Sequence, residues 1–285
     1  MGINMQTIND KVAIIVAPNG ARKTKQDHPA LPITTAEIVA DVIACRDAGA
    51  AMVHLHARDK NGLHSLAIDD NLLTQEAVKA AVGDSVIVQL TTEAIGQYTP
   101  QQQMQLIKET TPEAASFGLN ELIPDDSYLP EAEKFFNWVA DSGMIAQYIL
   151  YSTADLTRYF SLVKQGILAN KNHHLLFVLG RYHKDLLSSP RDLLPFLKQP
   201  DFLQLMESGE KRWAACAFGP SEQKCLFSAM LMGADIRVGF ENNLHNSHGA
   251  KAHSNAQQVT DIKALTSLLN IDLHNAHSFR KALLS

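Results

Sequence analysis

The run Val12-Ala13-Ile14-Ile15-Val16-Ala17, closed by Pro18-Asn19-Gly20, decides the fold. Six successive apolar residues ending at a turn predict a strand over 12–17 that is buried on both faces, as in a parallel sheet covered by helices. A polar loop (21–31) follows, then Pro32-Ile33-Thr34-Thr35-Ala36-Glu37. There Thr34 is an N-cap and Glu37 completes a capping box, so a helix begins and runs to Gly49, a fitting C-terminal glycine.

The same unit recurs along the chain. Strands are expected over 51–55, 86–90, 114–117, 144–150, 174–179, 212–217 and 235–239, with helices over 69–82, 100–109, 131–142, 153–166, around 192–197, 222–233 and 254–269. Eight strand–helix units without a Pro/Ser-rich linker predict one α/β domain over 1–285, a (β/α)8 TIM barrel. Residues 271–285 are too few for a domain and are expected as a short helical extension packed on the barrel or on a neighbouring subunit.

Composition fits that architecture and excludes others. With 46% apolar and 19% charged residues in 285, the chain can bury a large core and is not disordered. Its net charge of −5 comes from 25 basic and 30 acidic residues spread without blocks, so neither a nucleic acid nor an anionic membrane is expected as partner. Cys45, Cys216 and Cys225 lack zinc-ribbon spacing and read as reduced core residues. Met1 to Asp10 has no basic-then-apolar signal, and no apolar run approaches the ~18 residues that span a bilayer; a cytoplasmic protein is expected.

Chemistry concentrates at strand ends. In His54-Leu55-His56-Ala57-Arg58 the two histidines share a strand face, about 7 Å apart, where they can grip one metal ion. The competing reading is two core histidines held by backbone carbonyls. In Arg237-Val238-Gly239-Phe240-Glu241-Asn242-Asn243, residues 237, 239 and 241 share parity, and Gly239 is expected to leave room for a ligand. The eighth strand closes on the first and the second flanks the first, so Glu241 can meet both imidazoles across the mouth; alone it would read as a surface salt bridge. Two histidines and a carboxylate leave a coordination position open, the mark of a catalytic zinc-type site. Thr91 and Thr92 beside Gln89, and Ser116 on the fourth strand, can orient a substrate or cap helices, and the basic loop of Arg22, Lys23 and Lys25 can contact substrate or remain solvated. No Gly-rich phosphate loop or nucleophile elbow is present; His173-His174 point to opposite faces, and His245, His248 and His253 lie in a polar loop.

These runs resemble the β-keto acid cleavage enzymes, relatives of 3-keto-5-aminohexanoate cleavage enzyme. Residues 51–58 match the family's "Val/Ile-His-Leu-His-x-Arg", residues 233–243 its "Gly-Gly-x-x-Arg-x-Gly-Phe/Leu-Glu-Asp-Asn", and Ser254-Asn255-Ala256-Gln257, Asn19-Gly20-Ala21, Pro29-x-Leu31-Pro32-Ile33-Thr34 and Phe177-Val178-Leu179-Gly180 match as well. The resemblance covers nearly the whole chain. It implies a zinc-dependent barrel, usually a homo-oligomer (dimer or tetramer), converting a β-keto acid and acetyl-CoA into acetoacetate and a new acyl-CoA. By position His54, His56 and Glu241 would bind the metal, Arg237 would belong to the catalytic dyad, and Thr91 and Ser116 would orient substrate.

The departures from the family pattern cluster at the site. Asn242 replaces the aspartate that partners the arginine as base, and a carboxamide cannot take that proton. The family's "Thr-Gly-Gly" is Thr92-Glu93-Ala94, which makes Glu93 an alternative base. Its "Gly-Ile-Gly-Arg" is Ala217-Phe218-Gly219-Pro220, without the cation that could serve CoA; its "Gly-x-x-Gly-Gly" is Gly180-Arg181-Tyr182-His183; and strand-five carboxylates give way to residues such as Tyr148 and Tyr151. Relatives that take amino-bearing substrates tend to carry a carboxylate where Arg22 stands, so an anionic or neutral polar β-keto acid is expected, a diacid above all. A CoA-independent aldolase, lyase or hydrolase and a non-catalytic binding barrel are the competing functions.

Overall fold

The computed structural model describes residues 11–209, 212–246 and 248–284. A two-residue strand β1 (Lys11–Val12) precedes eight parallel strands: β2 (Ile14–Val16), β3 (Met52–Leu55), β4 (Ile87–Leu90), β5 (Ala114–Gly118), β6 (Ile145–Leu150), β7 (His173–Leu179), β8 (Arg212–Ala217) and β9 (Asp235–Val238). These eight close in sequence order, and β9 returns to β2 through Ile15↔Arg237. The chain is a TIM barrel, as the alternating pattern predicts. Around it run α1 (Thr35–Ala48), α2 (Ile68–Val82), α3 (Pro100–Thr110), a single turn α4 (Leu119–Leu122), α5 (Leu129–Asp141), α6 (Thr153–Lys164), α7 (Leu194–Leu197), α8 (Pro200–Ser208), α9 (Glu222–Leu231) and α10 (Asn255–Leu268). The capping box on α1 forms, with the Thr34 hydroxyl accepting from the Glu37 amide.

Strand alternation divides the apolar residues between two cores. Val53, Leu55, Val88, Leu90 and Phe117 face the helices. Ala13, Ile15, Met52, Ile87, Ala114 and Ile145 fill the lower barrel. Burial on both faces explains why the strands read as continuous apolar runs.

Two expectations are corrected. The first strand breaks at Ala13, whose N–H donates to the buried carboxylate of Asp235 (2.7 Å), so β1 leaves the barrel and pairs instead with β10 (Asp272–Leu273). The helix placed around 192–197 is a 3-10 turn (Pro190–Leu193) running into α7, and α8 follows. Pro190, Pro195 and Pro200 each lack an N–H, which keeps these pieces short. The C-terminal segment ends in α11 (Ala276–Leu283), which seals the barrel floor with Ala276, Phe279 and Leu283. The reading of Met1 to Asp10 falls outside the described residues. Among those residues no helix is long and apolar enough to cross a membrane.

Candidate active site

His54 shares strand parity with Met52 and so faces the barrel interior, while His56 follows one residue beyond β3; each ring is about 1% exposed. Their proton positions are set by neighbours. His54 Nδ1 lies 2.8 Å from Gln89 Oε1 and donates to it. After Arg58 the chain reverses through Asp59-Lys60-Asn61-Gly62, where the Asp59 carboxylate accepts the Asn61 and Leu63 amides, and returns His64 beside His56. His64 Nε2 must donate to the Glu93 carbonyl at 2.8 Å, leaving its Nδ1 to accept from His56 Nδ1 at 3.4 Å. With both rings neutral, His54 Nε2 and His56 Nε2 are left as lone-pair donors, and they stand 3.1 Å apart.

Glu241 reaches the same point from the other side of β2. Strand parity placed it on β9 with Gly239 opening space for a ligand, but β9 ends at Val238 and Glu241 sits in the following turn. A Cβ on Gly239 (φ +133°) would meet the Ala17 carbonyl oxygen at 2.2 Å, so the room is taken by the backbone of β2. That approach lets the Glu241 amide donate to Ala17 O at 3.1 Å. The fully buried Asn255 pins the turn, accepting the Phe240 amide (2.7 Å) and donating to Pro18 O (3.1 Å). Lys23 Nζ donates to the Glu241 carbonyl (2.5 Å) and Arg237 Nη2 to its Oε1 (2.9 Å). The other oxygen, Oε2, has no hydrogen-bond partner and lies 3.6 Å from His54 Nε2 and 3.3 Å from His56 Nε2.

With both rings neutral, three electron-pair donors face one another here. This arrangement repels itself unless a cation sits among them. Two nitrogens bound to one zinc at ordinary lengths would be about 3.3 Å apart, close to the spacing found. Burial pushes the His54 pKa down to about 3, against the pull of Glu241, so the ring stays neutral and ready to ligate. Burial also opposes charge on Glu241, but Arg237 and the two imidazoles outweigh it and hold the carboxyl well below its usual range. The donor set fits a zinc-type divalent ion.

A cavity of about 200 Å³ opens beside these atoms, and His54, Glu241, Arg237, Thr91, Thr92, Glu93 and Arg22 all line it. Thr91 Oγ1 accepts the Glu93 amide (3.0 Å), whereas Thr92 Oγ1 donates to Ser116 O (2.8 Å). The Glu93 carboxylate stands 3.9 Å from His56 Nε2. Arg237 keeps Nε and Nη1 without partners. Ser116 and Asn242 are not brought to the wall. Ser116 Oγ is buried without a partner inside the barrel, and Asn242, 3% exposed, has neither amide atom hydrogen-bonded. Tyr151 lines the cavity, but Tyr148 packs outward against Phe117, Phe136 and Tyr159. His173 also faces outward, 2.7 Å from the Tyr159 hydroxyl, and His174 faces inward to Gln147 and Asp235.

Sequence reasoning passed over His64, Asn255 as a tether and the bond from the half-buried Lys23 to the Glu241 carbonyl. The Asn61-Gly62 turn signal could have returned His64 to His56; nothing in the sequence marks the other two roles.

Fold and site define a class of TIM-barrel enzyme, with a candidate metal site of two histidines and a carboxylate at the carboxyl end of the strands. The family model described as beta-keto acid cleavage enzyme matches residues 11–284, and the chain belongs to that family. It is 27% identical over 263 residues to a 3-keto-5-aminohexanoate cleavage enzyme of Acetoanaerobium sticklandii, covering 90% of this chain and 92% of that protein. It is 26% identical to a 3-oxoadipate:acetyl-CoA acetyltransferase of Cupriavidus necator, covering 88% and 87%. Among solved structures, apo ObcA superposes with a TM-score of 0.66 at 20% identity, over 90% of this chain and 65% of ObcA, a likeness of fold.

Proposed function

We propose that the chain performs a retro-Claisen acyl transfer, cleaving a β-keto acid with acetyl-CoA as co-substrate to give acetoacetate and a new acyl-CoA. The observation that carries it is the convergence, in a member of this family, of two imidazole lone pairs and a free carboxylate oxygen beside unpaired guanidinium N–H groups. His54, His56 and Glu241 would hold the zinc-type ion, which when bound supplies a Lewis acid for the keto carbonyl. Arg237, which lines the cavity, holds the substrate carboxyl and the negative charge that builds on it. Glu93 takes the acidic proton from the carbon between the keto and carboxyl groups; it is on the wall and its side chain has no hydrogen bond among the described residues, whereas Asn242 is off the wall and has no basic site. Thr91, its lone pair used by the Glu93 amide, has its hydroxyl proton for substrate. Thr92 offers a lone pair, and Ser116 positions it through its carbonyl.

Arg22 meets the part of the substrate remote from the reacting carbonyl. Relatives are named for tails of differing charge, a 5-amino acid in one and a 3-oxodiacid in another, so the tail must be read from this chain's own wall. We also infer a cytoplasmic homo-oligomer, dimer or tetramer, a reading supported by exposed Leu187, Leu194, Leu203 and Met232.

The test is to incubate metal-loaded protein with a panel of β-keto acids, with and without acetyl-CoA, and follow products by mass spectrometry. Acetoacetate and a new acyl-CoA are expected, together with about one zinc-type ion per chain by elemental analysis. His54→Ala with His56→Ala should lose ion and turnover while the circular dichroism is kept. Cleavage indifferent to acetyl-CoA would instead select the aldolase, lyase or hydrolase reading, which the missing cation in Ala217-Phe218-Gly219-Pro220 favours. Metal binding without turnover would select a binding protein.

A further inference from the structure

The outer half of the cavity holds cationic groups that take no part in the bond-making and bond-breaking of the reaction above. Arg22 and Arg181 line both the inner cavity and the recess that continues outward from it. Neither has a hydrogen bond or an ion pair among the described residues. Arg181 instead lies over the Phe218 ring, its Cζ 5.4 Å from the centroid, with Lys23 Nζ 5.9 Å from the same ring. The loop that carries Arg181 is fixed close to that ring. Ser188 Oγ donates to Phe218 O (2.7 Å), and a Cβ on Gly219 would meet Leu186 O at 2.5 Å.

Carboxylates face the same recess, but most are committed elsewhere. Glu121 Oε2 accepts the Ala94 amide and Gln103 Nε2. Asp155 accepts the Tyr151 amide and Asn120 Nδ2. Arg158 is likewise tied, to Asn120 Oδ1 and Ile123 O. Glu93 faces inward toward His56. What remains unsatisfied at the outer wall is a pair of guanidinium groups, each a planar fork matched to two oxygens of one anion.

We propose that Arg22 and Arg181 form an anion-binding wall and that the substrate is a β-keto diacid whose remote carboxylate docks there. This rests on the cleavage reading for the other end of the substrate. Both arginines share one small cavity with His54 and Arg237, so a short diacid spans from the reacting carbonyl to the wall. The phosphates of CoA offer the same kind of anionic oxygen, but the pantetheine arm separates them from the thioester by far more than the width of this cavity. Arg181 rises from β7 next to Phe218-Gly219-Pro220, the stretch without a cation of its own.

The experiment compares the unaltered enzyme with Arg22→Gln, Arg181→Gln and the double variant. Substrates are a six-carbon β-keto diacid and its equal-length analogue ending in a carboxamide. The double variant should lose about ten- to hundredfold in kcat/KM on the diacid and less than about threefold on the carboxamide, the size of one or two charge-assisted hydrogen bonds. Circular dichroism and metal content should match the parent. An equal loss on both keto acids overturns the proposal. So does a loss seen with acetyl-CoA but not with acetylpantetheine, because the wall would then be reading phosphate. If the parent consumes neither keto acid, the cleavage reading fails, and calorimetry with glutarate against butyrate tests the wall by itself. Preference for glutarate that disappears in the double variant upholds it, and equal binding of the two overturns it.

Discussion

Two carboxylates, Glu93 and Glu222, show how differently one residue type behaves at this barrel mouth. Glu93 is on the cavity wall, 26% exposed, and its side chain has no hydrogen bond among the described residues. If it moves the proton, Glu93→Gln should lower kcat by roughly 10²- to 10⁴-fold, the usual worth of a general base, with metal content unchanged. Because Asn242 is off the wall, adding Asn242→Asp to that variant should restore nothing. Recovery of turnover would return the base to position 242. Glu222 is 2% exposed, its carboxylate accepts only from Asn243 Nδ2 (2.9 Å) among the described residues, and burial raises its carboxyl to about 8. Since its folded pKa exceeds the unfolded one, the folded state binds the extra proton, and stability falls as pH rises from about 4.5 to about 8. Glu222→Gln removes that liability. Melting curves at pH 5 and pH 8 should show the variant gaining on the parent only at the higher pH, by a few kcal/mol at most. An equal difference at both values would mean that Glu222 does not titrate across this range.

At the scale of elements, the seam between β2 and β9 places Glu241, the candidate metal ligand. Gly20 (φ +62°) adjoins the Glu241 side chain, and a Cβ there would sit 2.6 Å from Glu241 Cγ. Gly20→Ala should therefore cost about 1 kcal/mol from the left-handed backbone and weaken metal affinity by about ten- to a hundredfold. Chelator competition reads the second effect. Gly143→Ala is the control, since Gly143 has a similar φ of +76° with nothing within 4 Å of its added Cβ. It should pay in melting temperature and leave metal affinity alone; equal affinity losses in both would show that the Gly20 contact is not the cause. The same seam marks the limit of what the sequence reveals. Doubly buried strands announce themselves as apolar runs, and strand parity puts His54 inside the barrel, so the fold and the candidate metal site are legible. Gly239 is not, because an open position and one filled by a neighbouring carbonyl look identical in sequence. His64 depends on where a reversing loop lands, and Arg181 on how one loop lies against another; neither follows from periodicity.

Across the whole molecule, the two ends of the barrel do different work. The mouth holds the site, while the floor is closed by α11, where Phe279 is fully buried in the interior cluster and the Arg212 guanidinium lies 5.6 Å from its ring. Arg212 in turn binds Asp235 with Nε at 2.9 Å and Nη2 at 2.6 Å, and so holds that buried carboxyl at about 2 against burial. From the far side of α11, Arg280 pairs with Glu113 and donates to Asp84 O, tying the helix to the lower ends of the barrel. Phe279→Ala should open a cavity above an ion pair that depends on being dry, at a cost of about 3–5 kcal/mol. For a chain of this size that lowers Tm by roughly 5–8 °C. Metal content and kcat/KM, measured well below the transition, should stay within about twofold of the parent, because conservation of the mouth geometry rests on the β2–β9 seam rather than on the floor. A Phe279→Ala protein that is folded and yet metal-free would show instead that the floor sets the register of the strands that aim His54 and Glu241.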